Sequence, residues 1–173
     1  MMRLSPRTLA VAVAVAALAG TVPLGGSRAD GLQTTHHLSA EMALDAVREA
    51  VAHCAGQGYA ETAVVVDADG VRQALLRGDR AGSHTLDSAF AKAYTSASFK
   101  TETNALAERA KTVPAISALF TQLPHLILFG GGVAIKVGDE VVGAIGAAGA
   151  PGADLDEACA RAGLEKIRDR LKP

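Results

Sequence analysis

Two short polar turns, each set between runs of β-formers, constrain this chain more than any other feature. Thr62 to Val66 leads into Asp67-Ala68-Asp69-Gly70 and then Val71 to Arg77, while Val133 to Val137 and Val141 to Ala147 flank Gly138-Asp139-Glu140. A strand interrupted by so short a turn returns antiparallel to itself, so each segment predicts a hairpin. Strands grouped in consecutive pairs, with helices between the pairs, exclude the strand-helix alternation of a doubly wound parallel sheet. They predict an α+β fold with a central antiparallel sheet packed with helices. A further apolar run, Leu126 to Phe129, brings the expected number of strands to about five.

Periodicity supplies the helices. Ser39 can cap a helix in which Leu44, Val47, Val51 and Cys54 recur at three- and four-residue spacing, ending near Gly56 and Gly58. A second is predicted from His84 to Phe99 with Leu86, Phe90, Ala93 and Ala97 on one face. Thr101 or Thr103 caps a third through Lys111, and Pro114 opens a short helical piece that Pro124 stops. The last, Asp154 to Leu171, is acidic at its start and basic at its end, as the helix dipole favours. With four Phe, two Tyr and no Trp, the core packs small aliphatic side chains, and a pocket in it is aliphatic too.

Residues 1–29 read as a cleaved export signal: Arg3 and Arg7 precede the apolar run Leu9 to Gly20, and Ser27-Arg28-Ala29 offers small residues at a cleavage site. A membrane-spanning helix needs about 20 apolar residues, and this run is shorter and meets Pro23 and two glycines. Residues 30–37 read as a flexible lead and 38–173 as a single domain. Beyond residue 29 the chain carries 14 basic and 18 acidic residues, which disfavours nucleic acid or an anionic membrane as partner. The expectation is an exported protein, periplasmic or secreted, with no stable membrane insertion after cleavage.

Several motifs dissolve on inspection. The glycines at 143, 146, 149 and 152 match neither the dinucleotide fingerprint nor the P-loop, and the acids at 154, 156 and 157 would repel phosphate at that helix start. They read as a strand-to-helix turn. Asp67 to Gly70 lacks the sixth-position Gly and twelfth-position Glu of a calcium loop, since Arg72 and Gly78 stand there. No Ser or Cys comes with a recognisable base, and there is no Gly-x-Ser-x-Gly or Cys-x-x-Cys. Cys54 and Cys159 lie on apolar helix faces and can either pair, in an oxidising compartment, or remain two buried thiols. Of five histidines, His36 and His37 fall in the lead, and His53 and His84 suit helix ends. His125 differs, because it lies between Pro124 and an apolar run that ends in three glycines. A single imidazole beside an aliphatic wall is one way to build a heme pocket.

The chain resembles the GlcG/HbpS family of heme-binding proteins, which is also similar to the C-terminal domain of PduO-type corrinoid adenosyltransferases. The resemblance spans residues 38 to 171. It rests on Ala63-Val64-Val65-Val66-Asp67, Leu76-Arg77-Gly78-Asp79 with Ala81-Gly82, and Ser88-Ala89 with Lys92-Ala93-Tyr94-Thr95. It continues through Gly131-Gly132, Gly143-Ala144-Ile145-Gly146 with Gly149-Ala150, and Asp154-Leu155-Asp156-Glu157 leading to Ala162-Gly163. It implies a GlcG/HbpS-like α+β fold, a homo-oligomer, and non-covalent heme or a related tetrapyrrole as ligand. In secreted members the heme-contacting position precedes the glycine turn and can be a Thr. Here it is Leu126, which cannot ligate iron, so the resemblance leaves His125 as the iron ligand with Leu126 and Phe129 lining the pocket. The acidic pair that handles free iron in some members is replaced by Asp87 and Phe90.

The expected function is therefore heme sequestration or sensing outside the cytoplasm, with no residue constellation for chemistry of its own and the question of an enzyme left open. Two alternatives are a heme-degrading or peroxidative enzyme and an oligomeric small-molecule-binding module without heme.

Overall fold

The computed structural model describes Gly31 and residues 34–172, so the export signal expected over residues 1–29 lies outside the described residues. In chain order the elements are α1 (Ala40–Gly56), β1 (Thr62–Asp67), β2 (Arg72–Arg77), α2 (His84–Phe99), α3 (Thr103–Thr112) and α4 (Pro114–Gln122). Then come β3 (Gly132–Val137), β4 (Glu140–Ala148), α5 (Ala153–Ile167) and a 3-10 turn, Arg168–Arg170. Both hairpins form at the expected turns. Asp67 Oδ1 accepts the N–H groups of Asp69 at 3.0 Å and Val71 at 2.9 Å, so this carboxylate closes its own turn.

The sheet is antiparallel throughout and runs β2-β1-β4-β3. It has four strands rather than about five. The run Leu126 to Phe129 pairs with no strand; its segment crosses α2, where the Ile127 N–H donates to Thr95 Oγ1 at 3.0 Å. Its apolar side chains cover a helix instead of lining a sheet.

Burial of β1 on both faces explains its unbroken apolar sequence. Ala63 and Val65 join Val47, Ala50, Ile145 and Ile167 in the core under α1 and α5, and Val64 and Val66 join Ala89, Phe90, Ala93 and Ala144 under α2. Apart from Phe90, that second core is made of alanine and valine side chains. A Cβ at Gly146 would stand 2.2 Å from Ala89 O and 2.5 Å from Ala93 N, so α2 rests on β4 almost backbone to backbone.

Ser39 caps α1 as expected, accepting from Met42 N–H at 3.2 Å. The buried stripe is Ala43, Ala46, Val47, Ala50, Val51 and Cys54, and Leu44 is turned out, 41% exposed. The reason is the close α1–α5 contact: a Cβ on Gly163 would meet Ala46 O at 2.4 Å, a spacing that alanine satisfies and leucine does not. Neither candidate threonine caps α3. Glu102 holds the N-cap position, and Thr103 Oγ1 accepts from Gly132 N–H at 2.9 Å.

Cys54 and Cys159 form a disulfide between α1 and α5 with Cα atoms 5.7 Å apart, which resolves the two alternatives left by the sequence. His36 reaches the β3–β4 turn: its N–H donates to Glu140 Oε1 at 3.0 Å and its Nδ1 lies 2.7 Å from Oε2. These bonds hold the Glu140 carboxyl below its usual range, the side-chain bond most. Among the described residues no helix is long and apolar enough to cross a membrane.

Candidate functional site

The residues singled out from the sequence lie on the segment between α4 and β3, which packs against α2, and they do not share one cavity. Residue 125 takes a left-handed backbone, φ 65°, which histidine tolerates better than most side chains. This turn lays its ring edge-on against Phe90 at 5.4 Å and Tyr94 at 6.0 Å between centroids. On the other side of that cluster the Arg72 guanidinium sits 3.6 Å from the Phe90 ring centre. Of Asp87 and Phe90, which the resemblance sets in place of an acidic pair, Phe90 is committed to this ring cluster. His125 is exposed, and among the described residues neither of its ring nitrogens has a hydrogen-bond partner.

Leu126 is half-buried and lines a hollow of about 310 Å³ with Tyr94, Ser98, Phe99, Leu123 and Pro124. Phe129, 52% exposed, borders a different hollow of about 240 Å³ whose walls include His84, Ser88, Lys92, Ile127 and Asp156. The face is therefore an open surface with two shallow depressions and one accessible imidazole. His53 does not contribute: its ring is bonded to Gln57 Nε2 at 2.8 Å at the end of α1.

Beneath this surface lies a charged network that sequence reasoning missed. Lys92 is 2% exposed and Asp156 3%. Lys92 Nζ donates to Asp156 Oδ2 at 2.5 Å and to Ala147 O at 3.0 Å, while Asp156 Oδ1 accepts from Gly149 N–H at 3.1 Å and Ala150 N–H at 2.9 Å. The ammonium reaches from α2 to α5 past Gly131, where a Cβ would lie 2.9 Å from Nζ. The absence of a side chain at residue 131 makes room for this lysine. One signal was available. Lys92 falls on the α2 face shared by Ala89, Ala93 and Ser96, and a charge on a buried face needs a partner.

Glu61, 1% exposed, adjoins the pair. Both of its carboxylate oxygens are buried without a hydrogen-bond donor. Burial first, and then the neighbouring Asp156 carboxylate, push its pKa up to about 8. An acid protonated in the folded chain and ionised in the unfolded one loses stability as pH rises. Its contribution is complete below about 4.5, declines above that and is gone once pH passes about 8. Urea unfolding of the wild type is expected to show an unfolding free energy that falls by several kcal/mol between pH 5 and pH 9, with Glu61→Gln nearly level. Parallel profiles for the two proteins would show that Glu61 is not the group responsible.

The family model described as "Haem degrading protein HbpS-like" matches residues 38–165. The chain belongs to the HbpS-like family. A crystal structure of a double glutamate-to-aspartate mutant of Streptomyces reticuli HbpS is similar to this HbpS-like chain at 35% identity and a TM-score of 0.73, covering 90% of this chain and 97% of that one. A PduOC:heme complex is similar at 25% identity and a TM-score of 0.71, covering 76% and 96%. Klebsiella pneumoniae ORFY, at 22% identity, TM-score 0.74 and coverage of 79% and 94%, shares the fold. A comparison with curated proteins finds no match. The neighbours agree with the α+β HbpS-like architecture, and one of them is itself a heme complex.

Proposed function

We propose that this HbpS-like protein binds heme non-covalently outside the cytoplasm and sequesters or senses it. The observation that carries the reading is the heme complex of a relative that aligns with most of this chain. The residues present fit such a ligand. His125 offers an imidazole without a hydrogen-bond partner among the described residues, on a face where the apolar side chains of Leu123 and Phe129 are also exposed. Heme, when bound, supplies an iron that takes one axial nitrogen and a large apolar disc that rewards aliphatic contact. We assign His125 to the iron and Leu126 and Phe129 to the disc. Because the face is open, a second copy of the chain closing over it suits the ligand, in keeping with a homo-oligomer. The Cys54–Cys159 disulfide suits an oxidising compartment, which supports export.

Titration of hemin into the purified protein, followed at the Soret band, is the test. Wild type is expected to give a saturable shift, and His125→Ala to bind at least about tenfold more weakly with a changed axial signature. Identical spectra remove His125 from the site, and the absence of a saturable shift in either protein removes heme. A second reading, turnover of bound heme, is favoured by the family description. Loss of the Soret band on adding reductant and oxygen would select it over simple binding.

A further inference from the structure

We propose that, once the Cys54–Cys159 bond is reduced, Cys54 Sγ, Cys159 Sγ and a carboxylate oxygen of Glu61 form a site for a thiophilic divalent cation such as Zn²⁺. Among the described residues these three form a group with metal-ligating chemistry in which all ligand atoms lie within 4.8 Å of one another. They come from α1, from α5 and from the residue just before β1, so the fold itself brings them together. Zinc bonds to sulfur are about 2.3 Å and to carboxylate oxygen about 2.0–2.2 Å. Two ligands on one tetrahedral zinc are thus about 3.5–3.8 Å apart; the group, within 4.8 Å, reaches that spacing once reduction lets the two sulfurs, bonded in the oxidised chain, separate by about 2 Å.

Glu61 supplies the second, independent observation. Its carboxylate is buried, and neither oxygen has a hydrogen-bond partner. A buried acceptor without a donor is costly, and a cation bound between it and two thiolates would satisfy it. Residue 61 also borders a hollow of about 400 Å³ with Val51, Ala55, Tyr59 and Gly78, while both of its carboxylate oxygens are buried away from solvent. The site shares no residue with the His125 surface and does not depend on the heme reading.

A dithiol reductant gives two electrons and two protons to the S–S bond and is itself oxidised to a disulfide, or a phosphine is oxidised to its oxide by one water whose two protons go to the sulfurs; either way Cys54 and Cys159 become two thiols. Zn²⁺ then displaces the thiol protons and the proton of Glu61, leaving three protein ligands and one open coordination position for water. Reduction thereby exchanges a covalent link between α1 and α5 for a coordinate one.

The test uses the purified protein in oxidised form and after phosphine reduction under argon, each dialysed against Zn²⁺ alone and then desalted. The reduced protein is expected to retain one zinc per chain and the oxidised protein none. Co²⁺ in place of Zn²⁺ should give thiolate-to-metal charge transfer and tetrahedral ligand-field bands. Glu61→Gln, which keeps the shape of the neutral carboxyl, should weaken zinc binding about 10–100-fold. Circular dichroism accompanies each step. If reduction alone unfolds the chain, zinc must restore the wild-type spectrum and fail to restore that of Glu61→Gln. Folded reduced protein that retains no zinc would overturn the proposal. So would equal zinc retention by wild type and Glu61→Gln, or failure of zinc to refold an unfolded reduced wild type.

Discussion

Replacing Cys54 and Cys159 together with alanine is expected to lower the stability of the folded chain by about 4–5 kcal/mol, the loop-closure entropy of a cross-link spanning on the order of 100 residues. The bond joins residues 105 apart in sequence, so all four strands of the sheet lie inside the loop it closes. Both cysteines are fully buried and alanine leaves no unsatisfied polar atom, so the loss reports the cross-link plus a small cavity. Urea unfolding in the presence of a chelator measures it, and reduction of the wild type should reproduce most of the effect. A change below about 1 kcal/mol would mean that the unfolded chain is already held compact by something else.

The second large effect is expected at Lys92. Substitution by methionine keeps the aliphatic stem and removes the ammonium, leaving the Asp156 carboxylate buried beside an already neutral Glu61. Breaking such a pair costs about 3–5 kcal/mol, because an uncompensated charge remains in a low-dielectric site. Asp156→Asn in the same chain should recover a good part of the loss, since an amide oxygen can still accept from the Gly149 and Ala150 N–H groups while carrying no charge. The double-mutant cycle is read from unfolding midpoints. If Lys92→Met alone costs less than about 1 kcal/mol, or Asp156→Asn adds to its damage, the pair does not act as described.

The parts of the fold that could be read from the sequence were those governed by local chemistry. Asp67 closing its own turn, Ser39 capping α1 and Pro114 opening α4 each follow from a few adjacent residues. The misreadings arise where distant segments decide. Leu126 to Phe129 has the composition of a strand, but β3 already occupies the sheet edge beside β4 and the run lies over α2. Leu44 satisfies a helical period, yet the closeness of Gly163 to Ala46 selects alanines for the contact and turns the leucine outward. Of the candidate site, His125, Leu126 and Phe129 were visible as types in a suggestive order, but not that they occupy separate parts of an open face. Lys92, Asp156 and Glu61 come from three elements, and only the three-dimensional arrangement makes them one network.

The Cys54–Cys159 bond also has a mechanical consequence. Tension applied to the two ends of the chain passes from α1 to α5 through the sulfur atoms and bypasses the segment between them. With 105 residues of separation at about 3.3–3.6 Å each when extended, about 350 Å of contour is withheld from stretching while the bond is intact. Pulled from its termini, the oxidised protein would lengthen only by what lies outside that ring, with the four strands shielded from the load.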